Sequence, residues 1–225
     1  SVPYLQFPNA FPSSIITGVA DFRSAVQYDL HNPYTMQWHL TIEREILRNT
    51  GLRLSYIGSH SLGLVYQRDY DQAQPSTLAF SKDRTPYPLW NTIFCRIAGQ
   101  SAKFHSFQAE FNRRMSGGLT MHSAFTWMKN LTDGSDANEG GSIIENSFDR
   151  RREYSNVEFT RPRKWLSTWV WELPFGRNRQ WMSHVNRVVD GVLGGWELSG
   201  IFMLQDGYWF TPVFSGYDPA NTNGT

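Results

Sequence analysis

In GGWELSGIFMLQDGYWFTP, residues 194–212, side chains of two kinds alternate. Along it Trp196, Leu198, Gly200, Phe202 and Leu204 are all apolar or small, whereas Glu197, Ser199, Ile201, Met203 and Gln205 are mixed. A side-chain period of two belongs to a β-strand, because successive Cβ atoms point to opposite faces. One face of this strand is therefore greasy. It packs either on a second sheet of the same chain or against something other than water.

Five further segments alternate in the same way. MQWHLTIE (36–43) sets Met36, Trp38, Leu40 and Ile42 against Gln37, His39, Thr41 and Glu43. GLRLSYIG (51–58) sets Leu52, Leu54 and Tyr56 against Arg53 and Ser55. SFQAEFN (106–112), LTMHSAFTW (119–127) and STWVWELP (167–174) continue the pattern with Phe107 and Phe111, Met121 and Phe125, and Trp169 and Trp171. Each run is about eight to eleven residues, the length of a tilted membrane-spanning strand.

The links between these runs differ in kind. ILRNT and RRMSGG are tight turns, and Gly117 and Gly118 in the second supply positive φ. Residues 59–103 and 129–163 are long connections. The link FGRNRQWMSHVNRVVDGVLGG falls on the short-turn side and carries a short helical pattern at Val185, Val188, Val189 and Val192. Short turns at one end and long loops at the other characterise outer-membrane barrels. A soluble sandwich also alternates, but its strands are usually shorter. The polar parity also favours the barrel, because it carries His, Glu, Gln, Asn and Thr in mid-strand, as a wet lumen requires.

Composition agrees with this reading. Aromatic residues make up 15% of the 225, with nine Trp, ten Tyr and fifteen Phe, and such residues favour strands and membrane belts. A net charge of +1 gives no nucleic-acid footprint. The single Cys95 rules out an internal disulfide and a cysteine zinc site, and is expected as a buried free thiol. No run reaches the roughly 18 apolar residues of a membrane helix, and SVPYLQFPNAFPSS lacks signal-peptide features.

Several strings in order resemble the Oar-like group of TonB-dependent outer-membrane receptors. They are PYTMQWHLTIEREI with YIGSHS, FHSFQAEFNRRMSGGLTMHSAFTWMKNLTD, ENSFDRRREYSNVEFTRPRKW, WELPFGRNRQW, and LGGWELSGIFMLQDGYWFTP with DPANTN. The resemblance implies an upstream regulatory-like domain and plug, then a barrel of about twenty-two strands. Six strands cannot close such a lumen. Residues 1–225 are accordingly expected to be a partial barrel without plug or signal peptide: an all-β antiparallel meander, incomplete and open. The implied partners are outer-membrane lipid, the remainder of the barrel and its plug, and the TonB complex through an N-terminal region; the implied location is the outer membrane of a Gram-negative cell.

Candidate sites are few. Asp133, Asp136 and Glu139 in DGSDANEG offer hard oxygen ligands for calcium, but without the spacing of an EF-hand, so a solvated acidic loop is the competing reading. Arg150, Arg151 and Arg152 in DRRRE either bind anionic glycans or lipid phosphates or are satisfied by neighbouring acids in a salt-bridged loop. The histidines at 31, 39, 60, 105, 122 and 184 have no ligand spacing. No nucleophile elbow is present. Glu43, Glu110 and Glu172 lie on separate strands with no local motif, although a carboxylate pair would be needed for hydrolytic acid–base work. No catalytic residue, metal or cofactor is expected. The function expected is passage or binding of an unidentified ligand; the alternative is a secreted β-sandwich binding carbohydrate on aromatics such as Tyr87, Trp90, Tyr208 and Trp209.

Overall fold

The computed structural model describes residues 20–134, 144–212, 216 and 218–223, with residues 20–23 known by their backbone alone. The main strands are β2 (Tyr34–Leu47), β3 (Thr50–Asp69), β4 (Trp90–Ser116), β5 (Leu119–Thr132), β7 (Arg163–Glu172) and β8 (Glu197–Gln205). They pair in the order β2-β3-β4-β5-β7-β8, each antiparallel to the next. Two additions lie off this path. β1 (Ala20–Val26) pairs in parallel with β4, and β6 (Ser155–Asn156) pairs with β5.

Register shows why the sheet is single. Cross-strand partners share a face, and the rows Leu40–Tyr56–Phe107–Trp127 and Ile42–Leu54–Ala109–Phe125–Trp165–Leu204 run unbroken across it. The opposite face carries Glu43–Arg53–Glu110–Ala124 and Asn112–His122–Thr168–Ile201. The parity expected from sequence therefore holds on all six strands. Among the described residues no second sheet covers the apolar side: Leu40 and Ile42 are each 62% exposed and Leu204 is 60% exposed. The sandwich reading fails here, because its core requires those side chains to meet a facing sheet.

Along β5 the outward residues run from Leu119, opposite Trp171, to Trp127. Eight steps of ~3.3 Å, tilted by ~40°, give a height of roughly 20 Å, close to the lipid-facing band of an outer-membrane barrel. Trp38, Tyr56 and Trp127 lie toward one edge of that band, and Trp169 and Trp171 toward the other. Two glycines seat tryptophans on this face. The Trp38 ring lies over Gly58, and a Cβ on Gly200 would fall 2.7 Å from the Trp169 ring. The polar face is less uniform than the other. Leu166, Val170, Ile201 and Met203 put an apolar strip on β7 and β8, with Ile201 79% exposed.

The ends differ as expected. Asn49 (φ 59°) turns β2 into β3, and Gly117 and Gly118 (φ 64° and 77°) turn β4 into β5. The β7–β8 link holds a short helix α1 (Arg187–Leu193), capped where the Asn186 side chain accepts a hydrogen bond from the Val189 amide at 2.9 Å. Two features depart from the sequence reading. β3 has 20 residues and β4 has 27, so both continue beyond the membrane band. β5 ends at Thr132 opposite Ala102, which leaves the outer edge of β4 vacant; β1 occupies it, with Val26 opposite Arg96.

Candidate functional site: the platform at the long-loop end

The buried hydrophobic residues gather beyond the membrane band, where the long loops fold onto the projecting ends of β3 and β4. Tyr66, Ile97 and Ile144 form the apolar cluster, with Cys95 packed against it. Cys95 is half-buried rather than fully buried, and burial pushes its thiol up. Residues 70–89, the segment 144–162 and the tail 218–223 converge there. The Ser76 amide donates to the Ala220 carbonyl at 2.9 Å, and Asn221 donates to the Ser76 carbonyl at 3.0 Å.

Polar side chains fix the loops. Asp71, fully buried at its carboxylate, accepts from the Tyr87 amide at 2.7 Å and pairs with Lys82 at 2.5 Å. Gln72 bridges to the second loop, donating to the Glu145 carbonyl and accepting from the Ser147 amide, both at 2.7 Å. Arg84 donates to the carbonyls of Gln74, Leu78 and Ala79. Buried charges and amides persist only when partnered, so these contacts hold the platform in one arrangement. A polar cavity of about 70 Å³ lies among Asp69, Asp71, Lys82, Asn91, Glu145 and Asn223.

The structure brings two of the sequence-predicted residues together. Asp133 is buried, accepts from the Ser101 amide at 2.6 Å, and meets the Arg150 guanidinium at 3.2 Å. Arg150 also lies 5.4 Å over the Tyr66 ring and beside Gly99, whose φ of +149° and lack of a side chain leave room for it. Arg150 is thus a clamp, satisfied by Asp133 rather than by the acids in its own run. Asp149 caps that run instead, accepting from the Arg151 amide at 3.2 Å. Arg151 and Arg152 are exposed and make no ion pair among the described residues. Asp136 and Glu139 lie outside the described residues. The Glu153 carboxyl, desolvated by burial, sits above its ordinary value although it accepts from the Glu145 amide at 2.9 Å.

Asp71, Gln72 and Lys82 were missed from the sequence. The available signal was the acid–x–acid string at the end of a long strand: Asp69 accepts from the Asp71 amide at 2.8 Å and from the Ile93 amide at 3.2 Å. On the inward face, Arg53 takes both Glu43 (3.1 Å) and Glu110 (3.3 Å), and Glu172 pairs with Arg179 at 3.1 Å. Each carboxylate is therefore committed to an arginine. The aromatics offered for sugar stacking sit apart: Tyr87 and Trp90 lie at the entry to β4, whereas Tyr208 and Trp209 follow β8, with β5 and β7 between. Tyr208 already carries the Arg161 guanidinium at 4.1 Å.

No curated protein matches the chain. Among solved structures it is similar to the outer membrane transporter YddB from Escherichia coli, with 15% identity, a TM-score of 0.42 and coverage of 68% of this chain. The chain spans 20% of that transporter's length. A family model described as an outer membrane beta barrel domain matches residues 1–225, the same architecture that the lipid-facing band and the unequal sheet ends describe. The chain therefore belongs to the outer-membrane β-barrel domain family, and its place in the cell is the outer membrane.

Proposed function

We propose that residues 1–225 form part of a TonB-dependent receptor of the Oar-like group, a barrel that binds or passes a ligand without making or breaking a bond. The observation that carries this is the pairing of a lipid-facing sheet with an ordered loop platform at one end. A mere membrane staple needs only the sheet. Loops this long are usually functional, and here buried Asp71, Asp133 and Gln72 hold them. In outer-membrane barrels the long loops face outward, so the platform meets ligand first.

The ordered run of motifs from PYTMQWHLTIEREI to DPANTN supports the Oar-like assignment. The edges of β2 and β8 have no further partner among the described residues, and an open edge is not viable in lipid. The rest of the barrel is the partner they require. The strip of Leu166, Val170, Ile201 and Met203 gives an internal plug an apolar surface to rest on.

The test is binding of the periplasmic C-terminal domain of TonB to the intact receptor, measured by titration calorimetry in detergent. Saturable binding that disappears when the receptor's N-terminal region is deleted is expected. Its absence from the intact receptor contradicts TonB dependence and leaves only an outer-membrane barrel.

A further inference from the structure

On the outward face, just beyond the aromatic edge of the lipid band, four basic side chains form a block. His60 is the register partner of Lys103, and His105 is the register partner of Lys129. Lys103 and Lys129 are thus diagonal neighbours on paired strands, a separation of about 7–8 Å. Both are exposed, and among the described residues neither ammonium has an ion-pair or hydrogen-bond partner. The ring around them is committed: His105 is hydrogen-bonded to the Tyr56 hydroxyl at 2.7 Å and packs against the Trp38 ring at 6.1 Å. Farther along the same edge the positive charge is cancelled, because Arg163 takes Asp206 at 2.9 Å. The unpaired charge is concentrated at the two lysines.

The location selects the ligand. The block lies on the lipid side of the sheet and at its long-loop end, hence at the height of the outer leaflet's headgroups. Directly below it are Tyr56, Phe107 and Trp127, which meet acyl chains. A lysine stem lies along apolar surface and lifts its ammonium into the headgroup layer. Two ammoniums with three donors each suit a phosphate dianion, and charge-assisted bonds of this kind are the strong ones. We infer that Lys103 and Lys129, with His105 between them, bind the phosphate of an outer-leaflet lipid on the outside of the barrel. The inference rests on the outer-membrane placement and is independent of TonB coupling and of any cargo.

The experiment uses the intact receptor in phosphatidylcholine nanodiscs and titrates fluorescent diphosphoryl lipid A. The expected result is that K103Q/K129Q weakens binding about tenfold, while K103R/K129R retains it. R44Q, at an exposed arginine on the same face toward the short turns, leaves binding unchanged. Wild-type receptor binds monophosphoryl lipid A more weakly, and inorganic phosphate does not displace the lipid. Equal affinity of wild type and K103Q/K129Q overturns the proposal, as does an equal loss in R44Q, which would mean general surface charge. Displacement by inorganic phosphate overturns it in favour of a free-anion site. If K103Q/K129Q fails to insert, the wild-type preference for the diphosphoryl lipid decides alone, and no preference overturns the proposal.

Discussion

Gly200 shows how single residues set the outward face. Trp169 lies across it, an arrangement in which an aromatic ring covers strand backbone that a glycine leaves bare. Gly200→Val pushes that ring off its seat and is expected to cost about 1–3 kcal/mol, read as a lower urea midpoint in lipid vesicles. Combined with Trp169→Ala it should cost less than the two changes summed, since the clash is then gone. Glu153 makes a second prediction at this scale. Its folded pKa is raised chiefly by burial, so its contribution to loop docking is fully present below the ordinary carboxylate range and is lost as pH rises through the raised value. Protease nicking of segment 144–153 should increase across that window, and Glu153→Gln should flatten the dependence. Neither feature was legible in the sequence. A glycine within an alternating strand signals a close approach without naming the ring, and the burial of Glu153 depends on a loop folding back on a distant strand.

At the scale of elements, the clamp between Asp133 and Arg150 joins β5 to the loop that follows it. Arg150→Gln removes a charge-assisted bond to a buried carboxylate and is expected to cost about 1–3 kcal/mol of local stability. Hydrogen exchange of the Ser101 and Asp133 amides should accelerate, while the membrane strands remain protected. By contrast Arg53→Gln, in an inward network that is largely solvent-exposed, should change stability by less than about 1 kcal/mol. The six spanning strands were legible because lipid and lumen impose opposite demands on alternate residues. The rest of β3 and β4 was not. Above the bilayer that contrast ends, and strings such as TIFCRIAGQSAK carry no period of two. β1 escaped notice for a related reason: it is a short strand whose pairing with β4 is parallel, so no turn announces it. Of the candidate site, DRRRE was readable as a loop of charged side chains, but the reading in which its own acids satisfy its arginines does not hold: Asp133 holds Arg150, a pairing made by tertiary folding.

At the scale of the molecule, the central claim is that the apolar parity faces lipid. The most direct measurement is urea unfolding of the intact protein in lipid vesicles with arginine placed at chosen depths on each face. Phe125 lies in the row of Ile42, Leu54, Ala109, Trp165 and Leu204, within the apolar band, and Trp127 lies at its aromatic edge. Gln108, the neighbour of Ser55 and Thr126, faces inward. A lipid-facing apolar parity predicts a cost of ~2–4 kcal/mol for Phe125→Arg, roughly 0–1 kcal/mol for Trp127→Arg, where the side chain reaches headgroups, and a small cost for Gln108→Arg, where water already hydrates charge. Equal costs at Phe125 and Trp127, or a larger cost at Gln108 than at Phe125, would contradict it.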